Sequence, residues 1–235
     1  MLLALPLTAV ESQETQMKGT IEMKAAENER RAILLPQTNW KDLYFYRKAD
    51  VIYQLTVAFC QRFLPKFGDR TVDQMVQAAR SGKQNIVEGF AAGVTSTEME
   101  LRLLNVARAS LRELREDYAD FLKARSLPVW NADHPRYGAL RAYCSAHNDL
   151  AAYKAIIEKS GAEEIANLAL TLCHMADSLM TGYLRMKADD FTENGGIRER
   201  MTAARLGRRQ TQNQEIAALK AENARLKAEI ARIRR

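Results

Sequence analysis

Residues 71 to 122 constrain the fold more than any other stretch, because they carry two long apolar patterns with the period of an α-helix. Apolar side chains recur at steps of three and four, and a short segment with Gly93 separates the two patterns. The stretch is typical of two long helices joined by a tight turn. The residues predicted to be buried are Val72, Met75, Val76, Ala79, Ile86 and Phe90 in the first helix, and Leu103, Leu104, Ala107, Leu111, Leu114, Tyr118 and Phe121 in the second.

Two further stretches, about 40–63 and 162–187, show the same period. Gly and Pro are scarce, at 11 and 5 of 235 residues, which leaves few turn signals for a many-stranded sheet. Four amphipathic helices predict an all-α chain folded as an up-down four-helix bundle. The buried stripes of the two outer helices would be Phe45, Ala49, Ile52, Thr56, Phe59 and Phe63, and Ile165, Leu168, Leu172, Met175, Leu179 and Tyr183.

Smaller signals divide the chain further. Residues 1–35 are predicted to be a flexible leader, and residues 36–190 the bundle. The stretch 126–161 breaks the pattern before helix four, so it predicts a helical insertion of one or two short helices. Gly195–Gly196 predicts a break, within a basic segment at 191–209. A short coiled coil is expected at 210–235.

The two predicted central helices also carry local signals for a close helix contact, a helix cap and an ion pair. Gly82 lies in a helix interior, where it costs about 1 kcal/mol relative to Ala, so a close helix–helix approach is expected there. Thr95 with Glu98, or Thr97 with Glu100, has the spacing of a helix-capping box. Arg112 and Glu116 are four residues apart and are expected to pair on one helix surface.

The positive charge of this chain is concentrated at its C-terminus. The net charge is +6, yet residues 198–235 alone carry eleven Lys or Arg against four Glu, a net +7. An anion-binding site is therefore expected in this segment first. The candidate phosphate-binding residues are the arginines Arg198, Arg200, Arg205, Arg208 and Arg209. No aromatic residue lies among them, which argues against a platform for stacking single-stranded bases.

The last residues of the chain form a heptad pattern. Apolar residues and one asparagine are spaced alternately by three and four. Glu at every g position and Lys or Arg at every e position would attract across a parallel homo-oligomer. Asn223, at a central a position, is the residue type that favours two parallel strands. The predicted oligomerisation residues are Ile216, Leu219, Asn223, Leu226, Ile230 and Ile233.

Three stretches carry a family resemblance: DLYFYRKADVIYQLTVAFCQRF at 42–63, SGKQNIVEGF at 81–90 and NVARASLRELREDY at 105–118. They resemble bacterial four-helix-bundle proteins, including those encoded in intervening sequences of 23S ribosomal RNA genes and the accessory variability determinant of diversity-generating retroelements. The pattern S-x-x-x-N-I-x-E-G-[FS] is met by Ser81, Asn85, Ile86, Glu88, Gly89 and Phe90. The stretch 191–209 looks like the suffix extension of one branch.

The resemblance covers roughly residues 36–209. It implies a four-helix bundle, often assembled as a pentameric ring, and in the retroelement relative a basic surface that engages nucleic acid and a reverse transcriptase. This chain differs in having a body that is not basic, an insertion and a heptad tail. A pentameric body and a two-stranded tail conflict in number, so pentamer and dimer both stay open.

The sequence offers no convincing catalytic or metal-binding motif. Asn85 and Glu88 are interpreted as part of a buried hydrogen-bonded network, with an Arg or Tyr of helix three as the expected partner, rather than as a polar site. The pairs Cys144/His147 and Cys173/His174 are poorly arranged for a shared zinc ion, because the residues of the second pair are adjacent and so point about 100° apart on a helix. We therefore expect no enzyme activity, no cofactor and no metal.

Three cysteines without a framework spacing indicate free thiols in a reducing compartment, and no apolar run is long enough to span a membrane. A cytoplasmic protein is expected. Two hypotheses for its function follow. In the first, a homo-oligomer binds RNA or DNA, or a nucleoprotein partner, through the basic C-terminal segment. In the second, it is an assembly scaffold that does not bind nucleic acid.

Overall fold

The computed structural model describes residues 39–65 and 70–234. Within these ranges the chain is all-helical, as the sequence predicted, with no strand. A short 3-10 turn at Trp40–Asp42 precedes the α-helices. Those are α1 (Tyr44–Phe63), α2 (Arg70–Gly93), α3 (Thr97–Ala124), α4 (Tyr137–Ala146), α5 (Leu150–Lys159), α6 (Ala162–Asn194) and α7 (Ile197–Ile233). The predicted leader at 1–35 lies outside the described residues.

The described chain divides after Asn194 into two units, so α1–α6 belong to one and α7 to the other. In the first unit α2 packs against α1 and α3, and α6 packs against α1 and α3. These four long helices share one core, to which Cys144 of α4 and Tyr153 and Ile157 of α5 also contribute. The short helices pack on the long ones, with α4 against α6 and α5 against α1.

Most of the predicted apolar stripes form this core. Phe59, Met75, Ile86, Leu104 and Leu114 are each fully buried. Leu179 was predicted to be buried but is 38% exposed, because α6 turns Ala176, Met180 and Leu184 towards the core instead. Helix α6 also continues to Asn194, beyond the predicted end near residue 187 and the predicted bundle boundary at 190.

Helices α2 and α3 approach each other closely at Gly82. A Cβ atom built on it would lie 2.6 Å from Leu111 Cδ2 and 2.7 Å from Leu111 Cγ, inside ordinary van der Waals contact. The expected close approach at Gly82 is therefore confirmed. Only a residue without a side chain lets Leu111 fill this space.

Two local predictions were wrong. Ser96 caps α3, since its Oγ accepts a hydrogen bond from the Met99 amide at 3.2 Å, and neither predicted capping box is used. Arg112 does not pair with Glu116. Its guanidinium donates to Asp177 Oδ2 of α6 at 3.0 Å, because the packing of α3 on α6 places that carboxylate nearby.

The stretch 126–161 contains two helices, α4 and α5, and side chains of α1 and α6 hold its ends. Asn167, buried on α6, accepts from the Trp130 amide at 2.7 Å and donates to the Pro128 carbonyl at 3.0 Å. Arg62 on α1 donates to the carbonyls of Ile157 and Ser160 at the end of α5. These bonds fix the loop and the short helices against the long ones.

Candidate nucleic-acid interface

The five candidate arginines all lie on one continuous helix. Helix α7 runs unbroken for 37 residues, or about 55 Å, and Gly207 does not interrupt it. The predicted break is confirmed just before it, where Gly195 adopts a positive φ of 69° and Gly196 is the N-cap of α7. The basic segment and the heptad segment therefore belong to one helix and are not two separate elements.

Three of the five arginines share a face. At 100° per residue, Arg198, Arg205 and Arg209 fall within about 40° of one another and span about 16 Å along the axis. All three are exposed. Arg208 points about 80° away from this group, and Arg200, which is half-buried, lies on the far side of the helix. A single helix therefore cannot present all five arginines to one phosphate group.

The arginine face is in register with the heptad stripe. Because α7 is continuous, the heptad can be counted backwards from Ile216 without a break. Arg209 then occupies an a position, and Arg205 and Arg198 occupy d positions. The side of α7 that carries exposed apolar residues towards its C-terminus thus carries arginines towards its N-terminus. We name these three residues the arginine stripe.

The heptad residues are exposed in the single chain. Ile216, Leu219, Leu226 and Ile230 are each between 49% and 59% exposed, and Ile233 is 80% exposed. Asn223 donates through Nδ2 to the Leu219 carbonyl of its own helix at 3.2 Å. Exposed large apolar side chains at a and d spacing are the residues that a coiled coil covers with a partner helix.

The family-motif residues form a packing site between α2 and α3. Ser81 Oγ and Ser110 Oγ are 2.9 Å apart, and Asn85 Nδ2 donates to the carbonyl and hydroxyl oxygens of Ser81. Phe90 lies in the core. A Cβ on Gly89 would meet Leu103 Cβ at 3.4 Å.

Two expectations for this network were wrong. Its partner on α3 is a serine rather than an Arg or Tyr, and Glu88 takes no part because it is exposed on the surface of α2. The contacts of Ser81, Asn85, Gly89 and Phe90 favour the structural interpretation of the motif.

Comparisons with family models, curated proteins and solved structures gave no match for this chain. The family resemblance therefore stays a prediction.

Of the helices in the described part of the chain, none is both long and apolar enough to cross a membrane.

The cysteine and histidine pairs are not brought together as a site. Among the described residues, no group of three or more His, Cys, Asp or Glu side chains is placed to hold a metal ion. Burial raises the pKa of the Cys144 thiol to about 11 and that of the Cys173 thiol to about 12. Both thiols are therefore protonated near neutral pH and are poor nucleophiles.

One buried charged residue of α1 was not identified from the sequence. Lys48 lies on α1 three residues after Phe45, within the apolar stripe, and is 3% exposed. Lysine is almost never fully buried unless it is paired. A lysine within the apolar stripe of α1 was the available signal. The groups around it come from the stretch 126–161, and the periodicity of α1 does not predict them.

Proposed function

We propose that this chain is a non-enzymatic homo-oligomer that binds nucleic acid, or a nucleoprotein partner, through the basic segment of α7. Its first unit would be an up-down four-helix bundle with α4 and α5 as a helical insertion before the fourth helix. The observation that carries the proposal is the common register of the arginine stripe and the exposed heptad residues on one helix.

The heptad segment supports self-association in parallel. The g residues Glu215, Glu222 and Glu229 would face the e residues Lys220, Lys227 and Arg234 of a second copy. Every such pair is attractive in a parallel dimer. Asn223 pairing with its counterpart would fix the register and favours two strands over five. A dimer through α7 is therefore the preferred assembly, and a pentamer through the bundle is the alternative.

A parallel dimer gives the arginine stripe a defined role. At the N-terminal end of the paired helices, Arg209, Arg205 and Arg198 would face the same residues of the partner copy. Because like charges in that position repel, the helices would diverge there. A polyanion between them would neutralise both stripes, much as the basic regions of zipper proteins fork across a DNA groove. Nucleic acid is the polyanion that fits, through phosphate contacts without base reading.

Salt dependence of binding tests the proposal. The chain is titrated with single-stranded and double-stranded RNA and DNA across a salt series. A variant carrying Arg198→Gln, Arg205→Gln and Arg209→Gln is compared with it. Each phosphate contact contributes about −0.9 to the slope of log K against log salt, so the triple variant should lose about three units of slope per copy on duplex DNA.

A matched control removes the same charge elsewhere. Arg102, Lys123 and Lys154 are exposed on α3 and α5, and their replacement by Gln lowers the net charge equally. This control should keep the parent slope. Equal losses in both triple variants would refute a defined site on α7 and leave only a general charge effect.

The scaffold hypothesis rests on the same exposed heptad residues. It expects self-association without nucleic-acid binding, even at low salt. Sedimentation of the parent chain and of a Leu226→Asp variant decides the assembly question, because a charge at a central d position should dissociate a coiled coil. Self-association with no nucleic-acid binding by the parent chain would favour the scaffold.

A further inference from the structure

The first unit contains a large cavity. It has a volume of about 990 Å³ and opens between α1, α6 and the insertion. The insertion contributes the loop around Trp130 and one side of α4. The volume is at the upper end of the range for small-molecule sites. We name this cavity the cationic cleft.

Lys48 is the unusual residue of the cleft. The residue is 3% exposed, and its Nζ donates one hydrogen bond, to the Cys144 carbonyl at 2.6 Å. An ammonium has three donors. None of the described carboxylates forms an ion pair with Lys48. A buried cation without a counter-ion is unfavourable, so its presence on a cavity wall calls for a compensating negative charge.

The protein supplies only part of that charge. Cys144 lies in the last turn of α4, where unpaired carbonyls give a helix C-terminus about half a negative charge. The bond from Lys48 therefore caps α4 but leaves the ammonium incompletely neutralised. Burial lowers the pKa of Lys48, which is the effect expected of a cation that lacks a full counter-charge.

The remaining lining favours an anion too. Arg141 of α4 adds a second cation, and none of the described residues in the cavity wall is an Asp or Glu. His174 of α6 also lines the cleft. Burial, followed by the charge of Arg115, lowers the pKa of His174, so this ring is neutral near pH 7 and available for hydrogen bonding. The described residues of the cavity wall therefore carry a net positive charge, from Lys48 and Arg141.

The remaining side chains of the cavity wall indicate which other groups a ligand would contain. Aromatic rings of Tyr44, Trp130 and Tyr137 line the cavity, and Trp130 is held by a bond from Nε1 to Glu163 Oε1 at 2.8 Å. Uncharged polar groups, including Thr171 and Ser178, complete the wall. Such a lining suits a molecule with one acidic group and a flat apolar part.

We infer that the cationic cleft binds a small organic anion whose carboxylate, sulfonate or phosphate group pairs with the Lys48 ammonium and lies towards Arg141. The aromatic rings contact the apolar part of the ligand. The insertion has a function in this arrangement, because it supplies the carbonyl, the second cation and the aromatic wall. Every residue of this site lies in the first unit, whereas the arginine stripe lies on α7.

Two fluorescent probes test the charge requirement. The anionic probe is 8-anilinonaphthalene-1-sulfonate, and the neutral probe is N-phenyl-1-naphthylamine, which has the same rings without the sulfonate. Binding is followed by energy transfer from tryptophan in a Trp40→Phe background, so that Trp130 is the donor. Lys48→Met should weaken binding of the anionic probe at least about tenfold, since it removes one partner of a buried charge pair.

The controls separate charge from shape. Lys48→Met should change binding of the neutral probe less than about twofold, because Met fills a similar volume. Lys154→Met, at an exposed position on α5, should change neither probe. Arg141→Gln, which leaves Lys48 in place, should selectively weaken the anionic probe. Unchanged anionic binding in Lys48→Met and Arg141→Gln, or equal loss of both probes, would overturn the inference.

Thermal unfolding gives an independent result. Without ligand, Lys48→Met should raise the melting temperature, because it removes a buried and incompletely neutralised cation. A lowered melting temperature together with unchanged binding of the anionic probe would mean that Lys48 acts only as the cap of α4.

Discussion

The contact between Gly82 and Leu111 gives a prediction whose magnitude can be worked out. In Gly82→Ala, the new Cβ would lie 2.6 Å from Leu111 Cδ2, about 1 Å inside the usual carbon–carbon separation. Leu111 is 1% exposed, and its Cγ at 2.7 Å cannot move without displacing the branch of the side chain. Overpacking of this kind typically costs about 1–3 kcal/mol.

Helix propensity acts in the opposite direction. Alanine is about 1 kcal/mol better than glycine in a helix interior, so the net change in Gly82→Ala should lie between about zero and 2 kcal/mol of destabilisation. Gly182→Ala is the matched control. Gly182 is also interior to a long helix, α6, but its Cβ would meet no atom within 4 Å. That variant should be stabilised by up to about 1 kcal/mol.

The difference between the two variants isolates the overpacking. Urea unfolding followed by circular dichroism, at one protein concentration, should place Gly82→Ala about 1–3 kcal/mol below Gly182→Ala in the free energy of unfolding. A double-mutant cycle with Leu111→Ala should show coupling of at least about 0.5 kcal/mol, since the smaller side chain makes room for the new methyl group. Equal stabilities for the two glycine variants would refute the close packing of α2 on α3.

Three further predictions concern polar groups that are buried or half-buried. Burial alone would raise the pKa of Asp177, but hydrogen bonds and charges from its two arginine partners outweigh it and hold that pKa below its ordinary value. The interactions of Asp177 with its arginine partners therefore stabilise the folded chain above the unfolded pKa of about 3.9, and this stabilisation is lost as pH falls through the lower folded pKa. In urea unfolding, Asp177→Asn should therefore approach the stability of the parent chain below about pH 4. Tyr118→Phe removes a buried bond of 3.0 Å to Thr56 Oγ1 and should cost about 1 kcal/mol in the same assay. Cys144 and Cys173 are buried with raised pKa values, so a disulfide reagent at pH 8 should label them only after denaturant is added, whereas rapid labelling of the native chain would contradict their burial.

The sequence alone was sufficient for the helical class and for most of the core. Phe59, Ile86, Leu111 and Tyr118 were predicted from their spacing and are buried, because a regular apolar stripe on a long helix has one way to leave water. The close approach at Gly82 also followed from the sequence. A glycine tolerated in a helix interior implies a neighbour that needs the space.

The tertiary structure decided the partners of the charged residues. Arg112 pairs with Asp177, which is distant in sequence, and not with its neighbour on the same helix. Such pairs depend on the rotation and height of one helix relative to another, and a pattern along a single helix does not contain that information. Leu179 was misassigned for the same reason, since the width of the buried face depends on what packs there.

The same distinction applies to the two candidate sites, since one was predicted from the sequence and the other was not. The residues of α7 were identified from charge and heptad spacing, because both patterns are local to one helix. The structure added that α7 is one continuous helix, which places Arg198, Arg205 and Arg209 in register with Ile216. The cationic cleft could not be predicted, because Lys48, Arg141 and His174 come from three separate helices and meet only when the insertion folds against α1 and α6. Local periodicity fixes which face of a helix is buried, and only packing fixes which distant groups that face meets.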